Sequence, residues 1–244
     1  MSDQFIFRRV EKKYRITPVQ RAHLLALVGD RLTPDKHGKS TVCSLYLDTP
    51  DFLLIRNSID AKAYKEKLRI RSYGTPSNDS KVFFEIKKKY KGIVYKRRAS
   101  MTLAEARKYV NGGAPPFESQ IIAEIDYAMR YYRHPAPAML IACEREAFYC
   151  AENADLRLTF DSDVRYRTCE LSLASGACGT PIADGEIILE IKTGGAMPLW
   201  LAHALDACSI YPTSFSKYGT AYLKELKAHA EENTKGEYKN AGNL

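Results

Sequence analysis

Charged residues alternate with apolar ones in the segment VFFEIKKKYKGIVYKRRASM, residues 82–101, on both sides of a turn at Lys91-Gly92. Successive side chains of a β-strand point to opposite faces, so this pattern predicts a hairpin whose two faces differ in polarity. One face carries Glu85, Lys87, Lys96 and Arg98, and the other carries Phe84, Ile86 and Tyr95. A slip of one residue would send every charge into the apolar layer, so the register is tightly specified.

The same alternation recurs in other segments that are predicted to be strands. The pairs are Glu11 with Lys13, Arg69 with Arg71, and Glu190 with Lys192, and single bases stand at Arg145 and Arg157. On one strand this pattern is typical of the solvated face of a half-buried sheet. Because many strands share it, and several helices are available to cover the apolar face, we expect the charged face to line a closed barrel or a curved sheet.

Helices are predicted by caps and leucine spacing after Thr17, in TLAEARKYVNGG, in FESQIIAEIDYAMRYY, after Pro198 and from about Ser216. The remaining segments predict about eight strands with few crossover helices, so antiparallel pairing is the natural topology. The expected fold class is α+β, with an eight-stranded antiparallel β tunnel, closed as a barrel, and helices packed outside. We expect a single domain over residues 1–232 and a flexible tail at 233–244.

The charge balance points to an anionic partner. The chain has 37 Lys and Arg against 29 Asp and Glu, a formal net charge of +8. With Lys217, the proposed charged face holds ten bases and three acids. Such crowding is costly without a bound polyanion, and a ligand with several phosphates is the simplest neutraliser. Carboxylates among those bases suit Mg²⁺ or Mn²⁺ held beside phosphate oxygens.

Other classes fit the sequence less well. The bases alternate along strands and do not lie on an exposed helix or an aromatic platform, so we expect no nucleic-acid partner. The six cysteines form no zinc or redox motif. No apolar run is long enough for a membrane span, and the N-terminus lacks a signal peptide core, which predicts a cytoplasmic protein. A membrane partner stays possible.

A series of motifs in this order resembles the triphosphate tunnel metalloenzymes, a CYTH-like superfamily, and within it the VTC-type polyphosphate polymerase domains. The motifs are EKKY (11–14), YLDT (46–49), KLRIRSYG (67–74), FEIKKK (84–89), VYKRR (94–98), EREAFY (144–149), RLTFD (157–161), LEIK (189–192) and SKYGTAY (216–222). Each motif alone is weak, and the ordered set, over roughly residues 5–230, is specific. The resemblance implies the tunnel fold that the face analysis predicts independently.

The resemblance also implies roles for individual residues. Arg69, Arg71, Lys87, Arg145 and Lys217 are the expected catalytic bases that grip phosphate. Lys13, Lys96, Arg98, Arg157, Lys192 and Ser216 are the expected substrate-binding residues. Glu190 is the expected metal ligand, joined by Glu11 and Glu85. For Glu11 and Glu85 the alternative is pairing with Lys13 and Lys87, which would orient those lysines.

The leading functional hypothesis is an enzyme that transfers the terminal phosphoryl group of ATP to a growing polyphosphate chain, with Mn²⁺ or Mg²⁺. The alternatives are a metal-dependent triphosphatase or polyphosphatase with the same tunnel, and a polyphosphate or nucleotide sensor without turnover. Two departures from the family's sequence patterns bear on the choice among these three functions. Arg9 replaces the first Glu of the triphosphatase and cyclase members, and Cys143 replaces a Tyr of the polymerases.

Overall fold

The computed structural model describes residues 10–60, 63–91 and 93–241. The strands are β1 (Val10–Ile16), β2 (Leu32–Asp48), β3 (Tyr64–Tyr73), β4 (Lys81–Tyr90), β5 (Ile93–Thr102), β6 (Ala136–Cys150), β7 (Asn153–Arg167), β8 (Thr180–Pro181) and β9 (Ile187–Thr193). The helices are α1 (Pro18–Val28), α2 (Leu53–Asp60), α3 (Leu103–Val110), α4 (Gln120–Tyr131), α5 (Leu199–Ala207) and α6 (Lys217–Ala241).

Three of the helices begin at polar caps, and two of these caps, Thr17 and Thr102, lie where the sequence predicts a capped helix. Thr17 and Gln20 form a reciprocal capping box at the start of α1, and Thr102 and Glu105 form another at α3. The hydroxyl of Ser119 accepts a hydrogen bond from the backbone of Ile122 at the start of α4. These side chains satisfy backbone N–H groups that have no partner within the helix, which fixes where each helix starts.

The strands form one antiparallel sheet in the order β1-β9-β7-β6-β2-β3-β4-β5, with β8 added to β7. The predicted antiparallel topology is confirmed. Closure into a barrel is not, because β1 and β5 are the two edges and no backbone ladder joins them in the part of the chain that the structure describes. The described residues also form nine strands and not eight, since the two-residue β8 is too short to show a sequence pattern.

Two pairs of helices cover the outer face of the sheet. One apolar cluster joins α3 and α4 to β2 through β5, and includes Leu68, Phe84 and Ile125. A second cluster joins α1 and α5 to β1, β7 and β9, and includes Leu24 and Leu189. Both clusters take alternate strand residues, so the intervening positions face the other side, here called the inner face.

Helix α6 and part of α2 pack on the inner face. Ile55 of α2 and Tyr218 of α6 share a buried cluster with Tyr46 and Ile141 of the sheet. The rings of Tyr46 and Tyr218 are stacked, with centroids 4.4 Å apart. The prediction that all helices pack outside is therefore wrong for α6 and for the Ile55 side of α2. Apolar side chains fill one part of the inner face, and charged side chains occupy the rest.

The C-terminal helix α6 continues as helix from Lys217 to Ala241. Residues 242–244 lie outside the described part of the chain, and the expected domain limits and tail flexibility stay predictions. Within the described residues, no helix combines the length and the apolar character needed to cross a membrane.

Candidate anion-binding site

The inner face of β3 carries Lys67, Arg69 and Arg71 at alternate positions, between the outward Leu68 and Ile70. Two lysines of neighbouring strands lie level with Lys67, because Lys67 is opposite Lys87 and Lys87 is opposite Lys96. Like charges directly across a ladder repel each other. The three strands therefore present a row of cations that favours a bound anion.

Glu85 lies at the centre of the first group of bases and is fully buried. One of its oxygens accepts from Arg69 Nε at 2.8 Å, and the other accepts from Arg98 Nε at 2.6 Å. Lys96 Nζ lies 2.8 Å from Glu85 Oε1. Burial alone would raise the pKa of Glu85, but the surrounding Arg69, Arg71 and Lys96 charges hold it well below its usual range. Both oxygens are occupied by ion pairs.

Asp161 forms a second, equally buried centre. Arg145 grips it with two hydrogen bonds of 2.6 and 2.7 Å, and Lys217 Nζ contacts the same carboxylate at 2.5 Å. Burial opposes its ionisation, yet the Lys217 and Arg145 charges hold the pKa of Asp161 well below its usual range. A β-bulge with Asp163 at φ 49° changes the register here, so Asp161 and Val164 both face inward.

Arg71 lies between these two centres. Burial and the nearby Arg69 charge lower the pKa of Arg71, Arg145 lowers it further, and the opposing charges of Glu85 and Tyr46 do not reverse the shift. Its Nε donates to Ser44 Oγ at 3.2 Å, but within the described chain no carboxylate lies within ion-pair distance of its guanidinium. Arg71 is thus a buried cation, 9% exposed, without a direct counterion. Buried charges are costly unless paired, so this position favours an anionic ligand.

The third part of the site joins β1 and β9, where Glu11 lies opposite Lys192 and Lys13 lies opposite Glu190. Lys13 Nζ is 3.5 Å from Glu11 and 3.9 Å from Glu190. The Lys192 ammonium also contacts Glu190. Burial alone would raise the pKa of Glu190, and the Lys192 and Lys13 charges outweigh it and hold the pKa low.

Side chains and one loop bridge the edge strand β1 and the opposite part of the sheet, β3 and β4. Lys87 Nζ of β4 lies 3.6 Å from Glu11 of β1. The backbone of Thr213 donates to the Lys13 carbonyl at 2.8 Å, and Lys67 Nζ donates to Ser216 Oγ at 2.8 Å. The sheet is therefore curled so that β1 lies near β4 across the charged inner face, although hydrogen-bonded strands do not close it.

The sequence-predicted residues divide into two sets in the structure. The larger set lies in the connected groups just described: Glu11, Lys13, Arg69, Arg71, Glu85, Lys87, Lys96, Arg98, Arg145, Glu190, Lys192, Ser216 and Lys217. Arg157 stands apart, because it pairs with Asp35 and half of its side chain is exposed. Glu11 does pair with Lys13 and Lys87, whereas Glu85 pairs with Arg69, Lys96 and Arg98.

Three inner-face residues were not among the predicted site residues. Lys67 continues the period of Arg69 and Arg71, and extending the alternation by one step would have found it. Asp161 continues the period of Arg157 and Thr159 in the same way. Tyr46 lies in the YLDT motif, but the hydrogen bond that it accepts from Arg69 Nη1, 3.1 Å long, joins two strands and could not be inferred from either strand alone.

A divalent cation fits only part of the predicted ligand set. Glu85 does not fit, because arginines and a lysine occupy both of its oxygens. Glu11 and Glu190 fit better, since the lysines beside Glu11 lie 3.5 and 3.6 Å away, and the Glu190 oxygen that Lys192 does not contact has Lys13 at 3.9 Å. Among the described residues no group of three or more His, Cys, Asp or Glu could hold a metal. These two carboxylates therefore suit a cation whose remaining ligands are phosphate oxygens and water.

Burial in this cationic setting lowers the pKa of Lys67 to about 8, and neighbouring Lys13 and Lys87 contribute to the shift. Phosphate oxygens would stabilise the charged form and raise that pKa again. We therefore expect tripolyphosphate binding to be coupled to proton uptake at about pH 8.5, and to lose affinity as the pH rises further. Below about pH 7 Lys67 is already protonated, and its contribution to uptake should vanish.

Titration calorimetry in buffers of different ionisation enthalpy measures this uptake. Lys67→Arg is the matched variant, because arginine stays charged across this range while the ligand's own ionisation is unchanged. Uptake should be smaller in Lys67→Arg than in the native protein. Equal uptake in the two proteins would contradict the assignment of a titrating lysine to this position.

The chain belongs to the VTC domain family, whose model matches residues 8–225. Among solved structures, a "putative adenylate cyclase" from Bacillus halodurans superposes with a TM-score of 0.54 at 13% identity, covering 86% of this chain and 95% of that one. A protein from Hippeastrum, described as an adenylyl cyclase candidate with a dominant triphosphatase activity, gives a TM-score of 0.50 at 15% identity, covering 86% and 93%. These likenesses show that the chain shares the fold of these two proteins. No curated protein matches the chain significantly.

Proposed function

We propose that the protein is a polyphosphate polymerase that uses ATP as phosphoryl donor. The observation that carries the proposal is Arg71, a buried guanidinium without a carboxylate partner, placed between two groups of bases that are already paired. Arg71 can donate hydrogen bonds to phosphate oxygens without first breaking an ion pair. The family assignment and the tunnel-fold neighbours support a triphosphate or polyphosphate as the anion.

In the proposed reaction a terminal oxygen of the polyphosphate chain attacks the γ-phosphorus of ATP. A new P–O bond forms to the chain, the bond between the γ-phosphorus and its bridging oxygen breaks, and ADP leaves. The attacking oxygen is already ionised, so no general base is required. Positioning and neutralisation of charge dominate such transfers, and an inner face lined by arginines and lysines provides both.

Named groups have distinct tasks in this proposal. Arg71 and Lys67 hold phosphate oxygens directly, while Glu85 and Asp161 keep Arg69 and Arg145 in fixed orientations. Glu11 and Glu190 would hold Mg²⁺ or Mn²⁺, which neutralises charge on the donor phosphates. The remaining lysines of the inner face line the path of the growing polyphosphate chain. Phosphate gripped from several sides is restricted in orientation, which favours in-line attack.

Transfer to phosphate fits this face better than hydrolysis. Hydrolysis needs a carboxylate that orients a water molecule, and both buried inner carboxylates, Glu85 and Asp161, are held by two or more cationic groups. Glu11 and Glu190 also lie against lysines. A triphosphatase remains the second candidate, supported by the Hippeastrum neighbour, and a sensor without turnover is the third.

Incubation with ATP and Mn²⁺ or Mg²⁺, followed by gel analysis for polyphosphate and assay of free phosphate, tests the proposal. We expect a ladder of polyphosphate chains. Free phosphate without a ladder would favour the triphosphatase, and ATP binding without either product would favour the sensor. Arg71→Ala should weaken triphosphate binding by about 1.5–3 kcal/mol, because it removes charge-assisted hydrogen bonds.

The alternation of the strands provides a matched control. Arg97 lies next to Arg98 in sequence but points to the outer face, where it pairs with Glu124 of α4 at 3.1 Å. Arg97→Ala should leave turnover within about twofold of the native rate, because surface ion pairs contribute little. Triphosphate binding and turnover are measured for both variants. Equal losses of affinity and rate in Arg71→Ala and Arg97→Ala would indicate a general effect of charge and not a site on the inner face.

A further inference from the structure

The end of the β4–β5 hairpin carries exposed apolar side chains that the anion site does not use. We call residues 88–91 and 93–95 the hairpin tip. Ile93, Val94 and Tyr95 follow one another in sequence and are 41, 41 and 44% exposed, and Tyr90 across the turn is 48% exposed. Single exposed apolar residues are common on protein surfaces, but a contiguous group marks an interaction site.

These apolar side chains lie on both faces of the hairpin. Ile93 is opposite Tyr90, and Val94 is opposite Lys89, so Ile93 and Val94 point to opposite faces. A partner protein seated on the sheet would cover one face and leave the other exposed. The interfacial layer of a membrane surrounds an inserted tip on all sides, so exposure on both faces favours a lipid partner.

Lysines surround the apolar tip. Lys89 and Lys91 have no ion pair in the described part of the chain, and the Lys91 ammonium lies 5.4 Å from the centre of the Tyr90 ring. Lys88 pairs with Glu66 at 3.5 Å. Unpaired cations beside apolar side chains complement a surface of anionic headgroups over acyl chains, and each such lysine strengthens attraction to anionic lipid.

The outer face next to the tip is rich in tyrosine. Tyr64 of β3 lies opposite Tyr90, and it is 41% exposed. On α4 the exposed rings of Tyr127 and Tyr131 stack with centroids 6.1 Å apart. Tyrosine combines an apolar ring with a polar hydroxyl, which suits the headgroup layer of a bilayer. The tyrosines therefore extend the lipid-compatible surface beyond the tip.

We propose that the hairpin tip inserts into the interfacial layer of a membrane that contains anionic lipid. Ile93 and Val94 are the apolar anchors, Lys89 and Lys91 contact the headgroups, and the tyrosines lie at headgroup level. This binding site is separate from phosphoryl transfer, and the inference does not rest on the proposed polymerase activity.

Co-sedimentation with phosphatidylcholine vesicles, with and without about 30% phosphatidylserine, tests the proposal. An excess of tripolyphosphate is added so that the basic inner face is occupied and cannot itself bind the vesicles. The native protein should bind only the vesicles that contain phosphatidylserine. The double substitution Ile93→Ser with Val94→Ser should lower the partition coefficient about tenfold or more, because it removes the buried apolar groups.

Leu199→Ser is the matched control, since Leu199 is 74% exposed on α5, a helix that packs against β1, β7 and β9 and not against the hairpin. It should bind vesicles like the native protein. Unchanged binding by the double variant, or no native binding to anionic vesicles, would overturn the proposal. Melting temperatures of all variants establish that each is folded, and ATP turnover of the double variant should match the native rate.

A fluorescent reporter gives a second, positional readout. Val94→Trp should show a blue-shifted emission when phosphatidylserine vesicles are added, because the indole then leaves water. An unshifted emission at saturating vesicles would overturn insertion of the tip. A single-stranded oligonucleotide that displaces the protein from vesicles, and that loses affinity for the double variant, would instead assign the tip to nucleic acid and overturn the lipid proposal.

Discussion

Glu190→Gln is expected to lower metal-dependent turnover of ATP by about a hundredfold or more. The substitution removes a carboxylate charge without changing the size of the side chain, so a divalent cation loses one of its two proposed protein ligands. Turnover assayed over a range of Mn²⁺ and Mg²⁺ concentrations measures the effect. Saturating metal should not restore the rate, since Glu11 alone is left to orient the cation.

Binding of tripolyphosphate without metal separates this role from a general loss of structure. Glu190 lies beside Lys13 and Lys192, so neutralising it leaves metal-free anion affinity equal or higher. Glu186→Gln is the matched control, because Glu186 pairs with Arg15 outside the site. Turnover near the native rate in Glu190→Gln would remove the metal assignment. A joint loss of turnover and metal-free binding would show that Glu190 only orients the lysines.

Glu85→Gln is expected to have the largest effect on stability, a loss of about 3–5 kcal/mol in the free energy of unfolding. Glu85 is fully buried, and its removal leaves Arg69, Lys96 and Arg98 without their shared counterion. Chemical denaturation measures the loss. Glu124→Gln is the control: Glu124 of α4 pairs with Arg97 on the outer face of the same hairpin, and this partly exposed ion pair should contribute less than about 1 kcal/mol.

The pH dependence of this loss has a definite sign. The pKa of Glu85 is held below its usual value by the surrounding bases, so its stabilisation is complete above about pH 5 and declines as the pH falls through the lowered pKa. The difference between native protein and Glu85→Gln should therefore shrink in acid. Tripolyphosphate should restore part of the stability of the variant, since phosphate oxygens replace the missing carboxylate. Equal costs for Glu85→Gln and Glu124→Gln would contradict a buried counterion.

The charged and apolar faces of the β4–β5 hairpin follow from the sequence alone. The alternation of Glu85 and Lys87 with Phe84 and Ile86 fixes their faces, because the side-chain period of a strand is two and only one register buries the apolar set. The caps at Thr17 and Thr102 likewise fixed helix starts, since they act within four residues. Local chemistry of this kind can be predicted without knowing which strands are neighbours.

Which charges form ion pairs depends on how the strands and helices are assembled. Glu85 joins Arg69 on one neighbouring strand and Arg98 on the other, and Asp161 joins Lys217, which is 56 residues away in sequence. Pairing across a sheet depends on strand order and register, which alternation within one strand does not specify. The same is true of α6, whose amphipathic pattern predicts an apolar contact but not the face of the sheet that it covers. The burial of Arg71 without a carboxylate in ion-pair contact likewise results from how the strands and helices pack together.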